Sequence, residues 1–310
     1  MINASRGVKI FSMVATVGLL AAGCSEPKTE LKTLTPTVVP TPSEEQPEIK
    51  SLRDVDLGNA IWIDPMLFDG KTSKIHLKDS KGNDEFSSYE LGKIVYSDLN
   101  GDGVEDAVAE LKSTSGNAYW EHYVAWVATD DDPVQVPGEF AYTHNCGSTV
   151  TNVEPATDGI KITEYLRSDF QNTACSENGP LKQVRTVGVE QYADDDQYYL
   201  VRKDTLGGYG GYCHPEGKGD TIAVSIPVYS APNAKSKMPL ERQAMMGYLA
   251  GPDAAGETTE DGQWMLGTVL ISDDKSETGM QTRCAWMPTA KNPLYTEGEA
   301  VSGNNGQLAG

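Results

Sequence analysis

The stretch Ile94–Leu111 reads IVYSDLNGDGVEDAVAEL. Ile94-Val95-Tyr96 precedes a loop dense in Asp, Asn and Gly, and Ala107-Val108-Ala109 follows it. Both runs are built of β-branched, aromatic or small residues and are too short for a helical period. The pattern predicts a strand, an acidic loop and a second strand.

Within the loop Asp98, Asn100, Asp102 and Asp106 hold the first, third, fifth and ninth places of a DxNxDGxxD pattern. Calcium is a hard cation that takes oxygen ligands from carboxylates, amides, backbone carbonyls and water. The loop offers three carboxylates, one side-chain amide and, at Val104, a backbone carbonyl. Gly103 permits the sharp turn such a site needs. An EF-hand does not fit, because its twelfth position needs a bidentate Glu and here it is Ala109. The segment resembles the calcium loops of FG-GAP-type repeats and the DLNGDGxxDAV segment of bacterial lipoproteins. That resemblance implies calcium as a cofactor. A turn without metal accounts for the same residues, since Asp, Asn and Gly favour turns, and both readings stand. The pattern occurs once, which argues against a propeller of repeats.

Outward from the loop, similar short runs recur between turn residues: Lys74 to Leu77, Tyr123 to Ala128, Gly159 to Tyr165, Val184 to Val189 and Gln197 to Val201. Little helical periodicity is visible. The expected class is mainly β, an antiparallel-sheet domain over 51–204 followed by a smaller β domain over 205–292. The glycine-rich stretch Gly207–Gly211 reads as a hinge between them.

Residues 1–23 have the form of a signal peptide. Arg6 and Lys9 precede an apolar run of eleven residues, Ile10 to Leu20, too short to span a membrane. Ala21-Ala22-Gly23-Cys24 follows and resembles a lipobox. In that family the Cys thiol receives a diacylglycerol, the chain is cut before it and the new N-terminus is acylated. Cys24 is therefore the expected lipidation site and the membrane the expected partner. Ser25, where Asp would retain the protein at the inner membrane, implies the outer membrane in a two-membrane cell, and otherwise the outer face of the cell membrane. Residues 24–50 carry five prolines and several threonines and read as an extended tether. The polar, glycine-rich tail 293–310 has the composition of disorder.

Cleavage before Cys24 leaves 45 acids against 23 bases, a net charge of −22. Nucleic acid is excluded as a partner, because its binding is driven by Lys and Arg on phosphates. Four cysteines remain: Cys146, Cys175, Cys213 and Cys284. In an exported chain they are disulfide candidates with three possible pairings. Keeping each bond within one expected domain selects Cys146–Cys175 and Cys213–Cys284. Zinc is disfavoured because no CxxC occurs.

The C-terminal third contains VYSAP (Val228 to Pro232), DGQWMLGTVLI (Asp261 to Ile271) and RCAWMP (Arg283 to Pro288). Over residues 222–288 it resembles a bacterial Src-homology-3-like domain, with Trp264 at the central Trp position and Ala285-Trp286-Met287 in place of the closing tripeptide. The resemblance implies a binding module for peptidoglycan or another envelope ligand, with Tyr229, Trp264 and Trp286 lining a groove. Two core aromatics of a small barrel would look the same.

Catalytic motifs are missing. His76, His122, His144 and His214 include no HExxH, and no GxSxG occurs. The expectation is a lipid-anchored envelope protein of non-catalytic binding or structural type. An envelope enzyme, or an enzyme-accessory protein with a dispersed site, is the alternative.

Overall fold

The computed structural model describes residues 51–65, 73–167, 174–192, 196–204, 207–212, 221–222, 227–238, 244–248, 258–259, 261–272 and 280–295. All belong to one compact unit, residues 46–310. Cys24, the signal peptide, the tether, Cys213 and most of the tail lie outside the described residues.

The class is mainly β and every ladder is antiparallel; no α-helix occurs among the described residues. After short 3-10 turns at Leu52–Asp54 and Leu57–Asn59, β1 (Ile61–Ile63) pairs with β2 (Lys74–His76). A six-stranded sheet follows: β3 (Lys81–Asn83), β4 (Ser88–Ser97), β5 (Asp106–Ser115), β6 (Ala118–Val127), β7 (Val134–Gln135) and β8 (Ala141–His144). β7 and β8 both pair with β6. β9 (Thr149–Ala156), β10 (Gly159–Leu166), β11 (Leu181–Gln191) and β12 (Tyr198–Arg202) form a four-stranded meander. A second four-stranded set comprises β13 (Thr221–Ile222), β14 (Ala244–Tyr248), β15 (Trp264–Ser272) and β16 (Met280–Pro288).

β5 is buried without a break from Asp106 to Leu111. Ala107, Ala109 and Leu111 pack with Leu52, Leu57, Trp62, Ile75, Val124 and Trp126. Val108, on the opposite face, packs with Val95, Ala125, Phe140, Ile160, Val187 and Leu200. Period-two alternation survives in direction but not in polarity, because both faces are covered. Glu110, also buried, is used by the backbone. Its Oε2 accepts the Lys93 amide at 2.8 Å, inside the irregularity of β4 between Leu91 and Ile94. A Cβ on Gly92 would collide with that carboxylate.

The core continues past residue 205. Tyr209 pairs with Val201 on one side and Cys284 on the other, and its amide donates to the Cys284 carbonyl at 2.8 Å. Tyr209, Tyr229, Trp264, Leu266, Cys284 and Trp286 join the cluster that holds Val108 and Val187. The glycine-rich stretch expected as a hinge is buried here. Gly207 and Gly208 adopt φ of +60° and +111°, where a side chain would be strained. A Cβ on Gly210 would strike the Val201 carbonyl.

Candidate functional site

The acidic loop joins β4 to β5 and is folded by its own side chains. The Asp98 carboxylate accepts the amides of Gly101 and Gly103 at 2.7 and 2.9 Å. Asp102 accepts the Val104 amide at 2.7 Å and the Asn100 side-chain amide at 2.8 Å. Gly101 and Gly103 sit at φ of +84° and +87°. Asp106 is fully buried, and its two oxygens accept Leu99 and Ala128 amides, each at 2.9 Å. Burial pushes the Asp106 carboxyl up to about 6; the two amides oppose that rise, and the charges of Asp102 and Asp98 add to it.

The five expected calcium ligands thus share one turn. Among the described residues no three His, Cys, Asp or Glu side chains converge as a metal cage. In this geometry the carboxylates serve backbone amides. The donor set itself is all oxygen and suits a hard cation.

The loop is also a junction. Glu105 accepts the Leu52 amide through its carbonyl at 3.0 Å and the Arg53 guanidinium through its carboxylate at 2.7 Å. The Leu99 carbonyl accepts the Val189 amide of β11 at 2.8 Å.

Tyr229, Trp264 and Trp286 come together. The Tyr229 and Trp264 rings lie 4.9 Å apart, edge to face, and Tyr229 exchanges two backbone hydrogen bonds with Trp286, each 2.9 Å. They are 3%, 7% and 8% exposed, so these rings fill the core and do not form an open aromatic face.

Cys146–Cys175 is a disulfide. It ties the turn before β9 to the segment after β10, the pairing selected by keeping the bond within one expected domain. Cys284 is disulfide-bonded; Cys213 lies outside the described residues. Cys146 is therefore not a thiol nucleophile. His144, two residues before it, stacks on Trp120 with ring centroids 4.9 Å apart.

A constellation with no contiguous signature in the sequence lies farther along the same strands. His122 on β6 places Nε2 3.1 Å from Ser113 Oγ on β5 and Nδ1 2.6 Å from a Glu139 carboxylate oxygen. All three are buried. Burial raises the Glu139 carboxyl, and its contact with His122 opposes that rise. Ser113 pairs with Trp120 and His122 with Leu111, so the hydroxyl and the imidazole are diagonal neighbours on one face. Alternation along β5 and β6 could have put both on that face, but only the register sets the diagonal and brings in Glu139.

Comparison with known proteins finds nothing similar: no family model, curated protein or solved structure matches the chain.

Proposed function

We propose that this chain is a lipid-anchored cell-envelope protein of binding or structural type, tethered through Cys24, whose acidic loop takes calcium as a structural cation. The observation that supports calcium is the loop's position. Asp98, Asn100, Asp102, Asp106 and the Val104 carbonyl would hold the ion where the N-terminal segment, β4, β5, the end of β6 and β11 are pinned together. A cation there would relieve the mutual repulsion of Asp98, Asp102 and Asp106 and stiffen that junction.

Calcium bound only by the folded state raises stability by about 2.7 kcal/mol at a hundredfold excess over Kd. Melting should therefore shift upward in millimolar calcium and back in chelator, and the shift should vanish in Asp98→Ala. No shift in the wild type at millimolar calcium would reduce the loop to a turn.

The region 205–292 is proposed as a Src-homology-3-like module that meets peptidoglycan or an envelope protein. Pairing of Tyr229 with Trp286 supports it, since a small barrel needs its opening and closing segments side by side. Because the three rings are core residues, other side chains would contact the ligand. Saturable co-sedimentation of the mature chain with purified sacculi is the expected result; its absence removes the wall ligand.

A further inference from the structure

We propose that Ser113, His122 and Glu139 form a nucleophile, base and orienting acid for acyl transfer, a second capability beyond the envelope role above. The substrate class is a small activated ester.

The distances meet the requirement of such a line. Nε2 of His122 stands 3.1 Å from the Ser113 hydroxyl, and Nδ1 stands 2.6 Å from Glu139. With Glu139 ionised, Nδ1 carries the proton and donates a hydrogen bond to the carboxylate. Nε2 is then free to accept from Ser113. The neighbouring inward positions on the two strands, Leu111 and Val124, are apolar. Packing alone asks for nothing polar here, and burying an ionisable pair costs more than an apolar substitute would.

The surroundings indicate where an acyl group would enter. Tyr89, Ser113, Trp120 and His144 are successive partners across β4, β5, β6 and β8, so they share a face. Ser113 lies between an aromatic ring on each side. Trp120, Tyr142 and His144 are only half-buried, so an acyl group would reach the buried hydroxyl past these side chains.

In the reaction, Ser113 Oγ bonds to the ester carbonyl carbon as His122 Nε2 takes its proton. The carbon–oxygen bond to the leaving alkoxide then breaks, and His122 returns the proton to that alkoxide. Water, deprotonated by His122, attacks the acyl-serine; the acid leaves and the proton restores the Ser113 hydroxyl. No oxidant or co-reactant other than water is needed.

The test uses the mature, disulfide-intact chain with a fluorophosphonate probe, read by intact mass and peptide mapping, alongside p-nitrophenyl acetate turnover. One adduct per chain on Ser113 is expected, and none on Ser113→Ala. His122→Gln should slow labelling by about 100-fold or more. Glu139→Gln should slow it while leaving the circular dichroism spectrum unchanged. Absence of an adduct on Ser113 in the folded wild type would overturn the proposal. So would labelling of Ser113 at an equal rate in a folded His122→Gln variant. If His122→Gln does not fold, Glu139→Gln decides: unchanged labelling in that folded variant also overturns it.

Discussion

The Arg185 guanidinium lies 2.6 Å from the Glu164 carboxylate, joining β11 to β10 with both side chains almost sealed from solvent. The same guanidinium donates to the Phe140 carbonyl, ahead of β8, and to the Gly210 carbonyl of the glycine-rich stretch. One side chain thus holds the meander, the six-stranded sheet and the segment leading to the C-terminal strands. Removing either partner strands the other charge in the core. Arg185→Ala or Glu164→Ala is expected to cost about 3–5 kcal/mol, read as a lowered urea midpoint at unchanged m-value. A loss under 1 kcal/mol would mean that water reaches the pair.

Trp264→Ala should destabilise by about 3–5 kcal/mol, because a buried ring is lost from a packed cluster. Its partner Tyr229, 4.9 Å away by centroid, would border the cavity. Thermal denaturation followed by tryptophan fluorescence measures this directly. A variant that melts like the wild type would show that the ring is dispensable to the core.

Reduction of Cys146–Cys175, which are 29 residues apart, should cost about 3–4 kcal/mol through restored entropy of the unfolded chain. The double variant Cys146→Ser/Cys175→Ser checks it by denaturant titration, with Cys284 left undisturbed. Equal midpoints with and without the bridge would contradict the expectation.

Glu139 supplies a pH dependence whose sign is definite. Its carboxyl is raised in the folded protein by burial. The folded state therefore binds this proton more tightly than the unfolded chain does. The neutral carboxyl's contribution is complete below the ordinary Glu range and is lost as pH rises from there through the raised folded value. Glu139→Gln should flatten that fall in a plot of urea midpoint against pH. An unchanged slope would assign the dependence to other groups.

Gly101 and Gly103 provide a backbone test of the acidic loop. Each has open space where a Cβ would go, so only the positive φ opposes a side chain there. Gly103→Ala should cost about 1–2 kcal/mol. Gly116→Ala, also at positive φ with open space, should cost a similar amount and serves as the comparison away from the loop. A markedly larger loss at Gly103, measured by chemical denaturation, would show that the turn holds the junction beyond its local conformational energy.

Much of the architecture is legible in the residue pattern. The seven runs named from the sequence all fall on strands, because β-branched and aromatic residues bounded by Gly, Asn and Asp suit half-buried pleats. The Cys146–Cys175 bridge follows from keeping a bond local. The acidic loop is visible because its chemistry is contiguous. A short turn must satisfy its own amides, and Asp98, Asn100 and Asp102 do so from within five residues.

Only the tertiary structure decided what depends on register and on long-range closure. Strand periodicity cannot say whether Tyr229, Trp264 and Trp286 face solvent or core; burial against Tyr209 and the first sheets settles that they face inward. The diagonal that joins Ser113 to His122, and the connection that brings Glu139 to the imidazole, exist only once β5, β6 and β8 are aligned. A slip of one residue would turn both side chains to the other face. Composition and local spacing determined the strands, the turn and the charge of this protein. The buried Ser113–His122–Glu139 line and the Arg185 clamp were decided by pairing between distant segments, because hydrogen bonds between side chains need distances that no linear pattern encodes.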